Sequence, residues 1–204
     1  MSKIAIIGSG SWGVALAIYL AKQNHDIKIW SFSKEEADII NIEKKCKFLP
    51  EAVVPDNVYC SLDFKEVIEE SEYILIVTPS KFVRETISKF KEYVTNQYII
   101  ICSKGFEQGT QKTLGEVVQE ELPNNKVGIL SGPSHAEEVS KDIPTAMVIA
   151  SENEELKNKI QQQFFSETVR IYTSDDVKGV ELRWCNKKHY CILRRYCKWN
   201  GLRR

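Results

Sequence analysis

The sequence predicts an α/β fold, a doubly wound and mainly parallel sheet, and three observations carry that prediction. Apolar runs alternate with amphipathic stretches from the first residues to Leu182, the pattern of repeated βαβ units. Runs such as Tyr73-Ile-Leu-Ile-Val-Thr78 and Tyr98-Ile-Ile-Ile-Cys102 are continuously apolar, as strands covered on both faces must be. The opening run leads through Gly8-Ser-Gly10-Ser-Trp-Gly13 into a helical stretch. Strand, glycines and helix in that order are the context in which Gly-x-Gly-x-x-Gly signals a dinucleotide site rather than a glycine-rich turn.

The elements follow in order. Residues 3–8 read as the first strand and 12–23 as the first helix. Asn24-His25-Asp26 turns the chain into a strand at 27–30. Residues 33–43 read as a helix, followed by a loop around Phe48-Leu49-Pro50 and Val54-Pro55, and a short strand at 58–60. A charged helix is expected over 62–70, with Ser61 as its N-cap. Strand 73–78, helix 81–91, strand 98–102, helix 110–121 and strand 126–130 continue the alternation. A turn at Ser131-Gly132-Pro133-Ser134 leads to a short helix at 135–140. A strand at 146–150, a helix at 152–165 and a strand at 169–172 complete a Rossmann-like unit.

Composition divides the chain unevenly. Of the 204 residues, 43% are hydrophobic and 27% charged, ordinary for a globular protein. No apolar run approaches the roughly 20 residues of a membrane span. The chain starts directly in a strand, so no leader peptide is expected and a cytoplasmic location is the default. The formal net charge of zero sums two unlike parts. Residues 183–204 carry eight basic side chains and no acid, leaving 20 basic and 28 acidic residues before them, a net of −8. Cys185, Cys191, Cys197, Trp184 and Trp199 also crowd into that tail. The shift marks a boundary, giving a dinucleotide-binding domain at 1–182 and an aberrant basic tail at 183–204. A nucleic-acid arm and a metal site from Cys185, His189, Cys191 and Cys197 are alternatives. The spacing does not match the usual zinc patterns, and neither metal nor nucleic acid is expected. Cys46, Cys60 and Cys102 are scattered and fit a reducing compartment.

Ligands of an open parallel sheet bind outside the carboxyl ends of its strands. Gly8 serves the tight turn, Gly10 the approach of backbone to pyrophosphate, and Gly13 the packing of helix on strand. Three polar clusters occupy further strand ends: Thr78-Pro79-Ser80, Ser103-Lys104-Gly105 and Ser131–Ser134. Lys104 can aim its ammonium into the cleft, or stand as an exposed loop lysine. Ser134 either binds substrate or caps the helix after it, the cap being the safer local reading. Glu137 and Glu138 suit the helix dipole, and His25 reads as a loop or helix-end residue. The cofactor is NAD or NADP. No acid ends the second strand; Ser31, Ser33 and Lys34 allow a 2′-phosphate and lean toward NADP, while Glu35 and Glu36 lean against it.

Several motifs occur in one order: Gly8-Ser-Gly-Ser-Trp-Gly-Val-Ala-Leu-Ala17, Phe48-Leu-Pro50, Ser103-Lys-Gly105, Ser131-Gly-Pro-Ser-His-Ala-Glu-Glu-Val139, Pro144-Thr145 and Val169-Arg-Ile-Tyr172. Together they resemble the N-terminal domain of the bacterial NAD(P)-dependent glycerol-3-phosphate dehydrogenases, over residues 3–182. The resemblance implies reversible hydride transfer between NAD(P)H and dihydroxyacetone phosphate, giving sn-glycerol 3-phosphate for glycerophospholipid synthesis. It implies cofactor contacts from Ser11, Trp12, Phe32, Lys104 and Ala136, and substrate contacts from Lys104, Gly132 and Ser134. A homodimer is the family's expected assembly.

After Gly179-Val-Glu-Leu182 the family continues Gly-Gly-Ala-x-Lys-Asn, whose lysine is its general acid/base, and then a helical domain. This chain reads Arg183-Trp-Cys-Asn-Lys-Lys-His-Tyr-Cys191 instead. One codon choice for that tail, shifted by one base, yields Gly-Gly-Ala-Ile-Lys-Asn-Ile-Ile-Ala, so a frameshift after Leu182 is the expectation. No catalytic residue is assigned: Lys187 stands at the right number with the wrong flanks. An inactive fragment that still binds dinucleotide is expected. The alternatives are another β-hydroxyacid dehydrogenase-like oxidoreductase or a non-catalytic nucleotide-binding module.

Overall fold

The apolar runs become eight strands: β1 (Lys3–Ile7), β2 (Asp26–Trp30), β3 (Val58–Ser61), β4 (Tyr73–Ile76), β5 (Tyr98–Ile101), β6 (Val127–Ser131), β7 (Thr145–Ala150) and β8 (Val169–Ser174). The structure, a computed structural model, describes residues 1–185. Lys187, His189, Cys191, Cys197 and Trp199 of the tail lie outside the described residues. The strands form one sheet in the order β3-β2-β1-β4-β5-β6-β7-β8. All neighbours are parallel except β6 and β7, which run antiparallel. The order reverses direction between β1 and β4, where Ile4 pairs with Ile27 on one side and Tyr73 on the other. That reversal is the switch point at which an open sheet leaves a crevice for a ligand.

Alternation of side chains along each strand divides the core between the sheet's two faces. Ile4 and Ile6 face a layer containing α1 (Ser11–Lys22), α6 (Ala136–Ser140) and α7 (Glu154–Gln163). Ala5 and Ile7 face α3 (Phe64–Ile68), α4 (Val83–Phe90) and α5 (Leu114–Glu121). β4 and β5 are buried throughout, which explains their unbroken apolar sequence. α1 is buried from Gly13 to Ala21 because α6 covers the side that the sheet does not. The chain's last described element, α8 (Val177–Cys185), packs Val177 and Val180 against the second face.

Several expected boundaries moved, each for a local reason. The helix at 33–43 is α2 (Lys34–Asp38), started by Ser33, whose hydroxyl accepts from the Glu36 N–H. It loosens into a π-helical turn, Ile39–Glu43, that ends at Lys44 with φ 53°. Ser61 belongs to β3 and is not the cap of α3; Asp63 takes that role, accepting from the Lys65 N–H at 2.9 Å. Residues 110–112 stay outside α5 because Thr113 and Glu116 close a reciprocal capping box there, a device worth about 1 kcal/mol. Ser134 does not cap α6 either: His135 stands at the N-cap position, without a side-chain hydrogen bond.

Candidate functional site

β1 ends at Ile7, and Gly8 turns the chain with φ 130°. A Cβ there would press to 3.3 Å on the backbone of Val77 and Thr78. The Gly8 N–H donates to the Trp30 carbonyl at 3.0 Å, tying the ends of β1 and β2 together. A Cβ on Gly13 would stand 2.0 Å from the Gly8 carbonyl oxygen, so only glycine lets α1 begin this close to the strand. Nothing lies within 4 Å of the position a Gly10 Cβ would take. The backbone is therefore open to solvent where a pyrophosphate would approach.

Gly10 is also the N-cap of α1, and it offers no side chain to the helix's first amide groups. α2, α3, α5 and α7 all have side-chain caps, from Ser33, Asp63, Thr113 and Asn153. Val14 donates to the Gly10 carbonyl at 3.0 Å, while the amides of Ser11, Trp12 and Gly13 precede the first intrahelical bond. Such a terminus, reinforced by the helix dipole, suits an anion.

The polar clusters close around this terminus. Trp12 lies in the first turn of α1, with the Lys104 Nζ 5.6 Å from its ring centroid, a cation–π contact across the switch point. Lys104 is an exposed residue following β5. Ser103 anchors that strand end, its hydroxyl within donating distance of the Thr78 carbonyl at 2.5 Å and the Ile76 carbonyl at 3.1 Å. Gly105 turns at φ 120°, where a Cβ would meet the Ser80 hydroxyl at 2.9 Å. Ser103, Lys104, Gly105, Ser131 and Glu181 line one small cavity. Ser131 Oγ of that lining, Thr78 Oγ1 after β4 and Trp12 Nε1 in the first turn of α1 are all buried, and none has a hydrogen-bond partner among the described residues. Buried polar atoms normally find partners, so orphans gathered at the ends of β4 and β6 and on the fingerprint fit a polar ligand in the crevice. The open Gly10 and the uncapped α1 fit its pyrophosphate.

The other anticipated residues divide into near and structural. Ala136 is buried at the start of α6, the helix packed on α1, and Ser134 is buried just before it. A Cβ on Gly132 would stand 2.6 Å from the Ala146 carbonyl; the glycine is needed for the close approach of β7, and a ligand could use only its backbone. Phe32 is 85% exposed after β2. His25 stands in the turn between α1 and β2, as the sequence suggested, and is buried there: its Nδ1 accepts from the Ser2 N–H at 3.2 Å, so Nε2 carries the proton toward the Gln163 carbonyl at 3.1 Å.

Three pairings escaped the sequence reading. Arg84 of α4 makes a double contact with Glu107, at 2.6 and 3.0 Å, and further bonds to Glu120 at 2.7 Å and Glu121 at 2.9 Å. The guanidinium holds the Glu107 carboxyl down to about 2. Glu181 of α8 accepts from the Gly115 N–H at 2.7 Å, and burial raises its pKa. Glu36 turns its carboxylate back onto Ser9 of the fingerprint. Each partner pair is far apart in sequence, so no local signal announced it. A concavity of about 490 Å³ lies between α5, β6 and α8, but no fingerprint residue lines it.

Strand order, fingerprint and crevice define a dinucleotide-binding domain of the nicotinamide-dependent oxidoreductase class. Residues 3–157 match the model of the NAD-dependent glycerol-3-phosphate dehydrogenase N-terminus. The glycerol-3-phosphate dehydrogenase [NAD(P)+] of Fusobacterium nucleatum is 41% identical over 89% of this chain and 56% of its own length. That of Clostridium perfringens strain SM101 is 41% identical over 98% of this chain and 61% of its own. A crystal structure of glycerol-3-phosphate dehydrogenase from Coxiella burnetii superposes with a TM-score of 0.86 and 34% identity, covering 90% of this chain and 57% of that one. The chain belongs to the NAD(P)-dependent glycerol-3-phosphate dehydrogenase family, and it spans a little over half the length of these relatives. Among the described residues no helix is long and apolar enough to cross a membrane, and no group of three or more His, Cys, Asp or Glu could hold a metal ion.

Proposed function

We propose that this chain is the dinucleotide-binding half of an enzyme interconverting dihydroxyacetone phosphate and sn-glycerol 3-phosphate, the latter destined for glycerophospholipid synthesis. The bound nicotinamide would supply or accept the hydride. The observation that carries the reading is the convergence of Lys104, Trp12, Thr78 and Ser131 on the crevice beside an uncapped helix N-terminus. Gly8 and Gly13 shape the turn, Gly10 admits the pyrophosphate, and the amides of Ser11 and Trp12 hold it. Phe32 offers its exposed ring to the adenosine, and Ala136 borders the cofactor from α6. Lys104 faces both cofactor and substrate, where a fixed cation stabilises a phosphate and a developing alkoxide. Gly132 and Ser134 contribute on the substrate side.

No residue up to Leu182 takes the acid/base role, and Lys187 does not inherit it. One wall of the cleft and its proton donor would come from the family's sequence that begins Gly-Gly-Ala-x-Lys-Asn, a motif this chain does not carry after Leu182. Loss of orientation and of acid/base help each cost orders of magnitude in rate. The 204-residue chain by itself is therefore expected to bind NAD(P)H and to turn over dihydroxyacetone phosphate barely, if at all. Calorimetric titration with NADH and NADPH, beside an assay of substrate-dependent NAD(P)H oxidation, tests both halves of this reading. Binding without turnover supports it; failure to bind either nucleotide, or robust turnover, overturns it. Sequencing the gene across codons 180–190 tests the frameshift. An intact downstream frame unrelated to the family's helical domain would rule it out.

A further inference from the structure

Coenzyme choice was left open by the end of β2, which has no acid, yet the fold returns one to that place. Ser9 is the residue between Gly8 and Gly10, and its hydroxyl donates to Glu36 Oε2. The Ser31 hydroxyl lies 2.8 Å from that of Ser9 and 3.4 Å from the same carboxylate oxygen. Ser9 and Ser31 are buried, and α2 starts so that its first turn lays Glu36 against the fingerprint. The carboxylate thus occupies the angle between the ends of β1 and β2, which the Gly8–Trp30 hydrogen bond holds together. In this fold class the ribose of the adenosine half meets an acid at that angle.

We propose that Glu36, positioned by Ser9 and Ser31, makes this chain select NAD(H) over NADP(H). The inference rests on the dinucleotide-binding reading and adds to it which coenzyme is taken. Oε2 is held by the serines, which leaves Oε1 to accept from ribose hydroxyls. A 2′-phosphate would bring up to two negative charges beside a carboxylate in a partly buried setting, where repulsion is weakly screened. Two of the groups that could welcome that phosphate, the serine hydroxyls, are held within the turn itself. The Ser31 hydroxyl accepts from the Ser33 N–H at 3.1 Å, and the Ser33 hydroxyl caps α2 through the Glu36 N–H at 3.4 Å. Lys34 is exposed at the start of α2, and Lys47 pairs with Glu35 at 3.6 Å. On this proposal the coenzyme is NAD(H), where the residues at the end of β2 had left NAD and NADP both open.

The test is calorimetric titration of the full 204-residue chain with NADH, NADPH, ADP-ribose and 2′-phospho-ADP-ribose, repeated on Glu36→Gln. The wild-type chain should bind each unphosphorylated ligand at least about tenfold more tightly than its 2′-phosphorylated partner. Glu36→Gln should bring the ratio within about threefold, mainly by tightening the phosphorylated ligands. Equal or tighter wild-type binding of NADPH overturns the proposal and leaves the dinucleotide reading intact. An unchanged ratio in a folded Glu36→Gln also overturns it. No binding of any of the four ligands overturns both readings. Should Glu36→Gln fail to fold by circular dichroism, the wild-type ratios with the two ADP-riboses decide alone.

Discussion

Replacing Arg84 by methionine removes a charge on which three carboxylates converge while keeping much of the apolar stem. Arg84 is a third exposed, and Glu107 and Glu121 are only 14% and 16% exposed. Glu120, at 42%, is well solvated and contributes little. An exposed pair is worth at most about 1 kcal/mol, whereas orphaning one partner of a buried pair costs about 3–5 kcal/mol. Glu121 retains Lys91 at 3.2 Å and Glu120 retains Lys112, so Glu107 bears most of the loss. A cost of about 2 kcal/mol follows, between the exposed and buried limits. For a chain of this size that lowers Tm by about 4–8 °C. The pH dependence is the sharper signature. Hydrogen bonding to Arg84 holds the folded-state pKa of Glu107 at about 2, well below the ordinary 4.5. The unfolded chain therefore takes up that proton first, and the stabilisation is full at neutral pH. It is lost as pH falls through about 4.5 toward 2. Urea denaturation of both chains between pH 7 and pH 3 should show the gap narrowing with acid. A gap below about 0.5 kcal/mol at pH 7, or one that is constant down to pH 3, would refute the reasoning.

Other substitutions separate fold from site. Gly13→Ala places a Cβ against the Gly8 carbonyl and should cost about 2–3 kcal/mol in urea denaturation, together with nucleotide binding. Gly10→Ala meets open space at φ −67°, so Tm should stay within about 2 °C while NADH affinity falls in calorimetry. His25→Ala breaks the bonds to Ser2 and Gln163 and should cost about 1–3 kcal/mol without touching NADH affinity. Lys104→Met should weaken nucleotide binding about tenfold at unchanged Tm, through loss of a cation at the crevice.

The strands were legible because burial on two faces demands unbroken apolar runs, and all eight appear within a few residues of their expected limits. Helix starts were harder. Whether Ser61 or Asp63 caps α3, or whether α5 begins at Thr110 or Leu114, depends on which oxygen reaches which amide. Adjacent residues of similar propensity cannot be told apart by composition. Gly8, Gly10, Gly13 and Lys104 could be singled out in the sequence because each stands at a fixed position relative to a strand end. Ser31, Ser33 and Glu36 were visible but could not be weighed, because their hydrogen bonds to one another decide their availability. His25 was legible as a residue of the turn after α1, but its burial and bonding were not, because its partners, Ser2 and Gln163, are 23 and 138 residues away.

By itself, the sequence determined the alternation of strand and helix, the glycine turn into α1 and the polar strand ends, since each is written within a window of a few residues. The family's motifs were legible in the same way. Tertiary structure alone decided the strand order, with its reversal at β1 and β4 and its one antiparallel pair, because neighbours in a sheet are chosen by how layers pack. It also decided that Lys104 stands over Trp12 and lines a cavity with Ser131, that Arg84 pins the loop after Lys104, and that Glu36 stands beside Ser9. Those are pairings between distant segments, and their energies exist only once the sheet has brought the segments together.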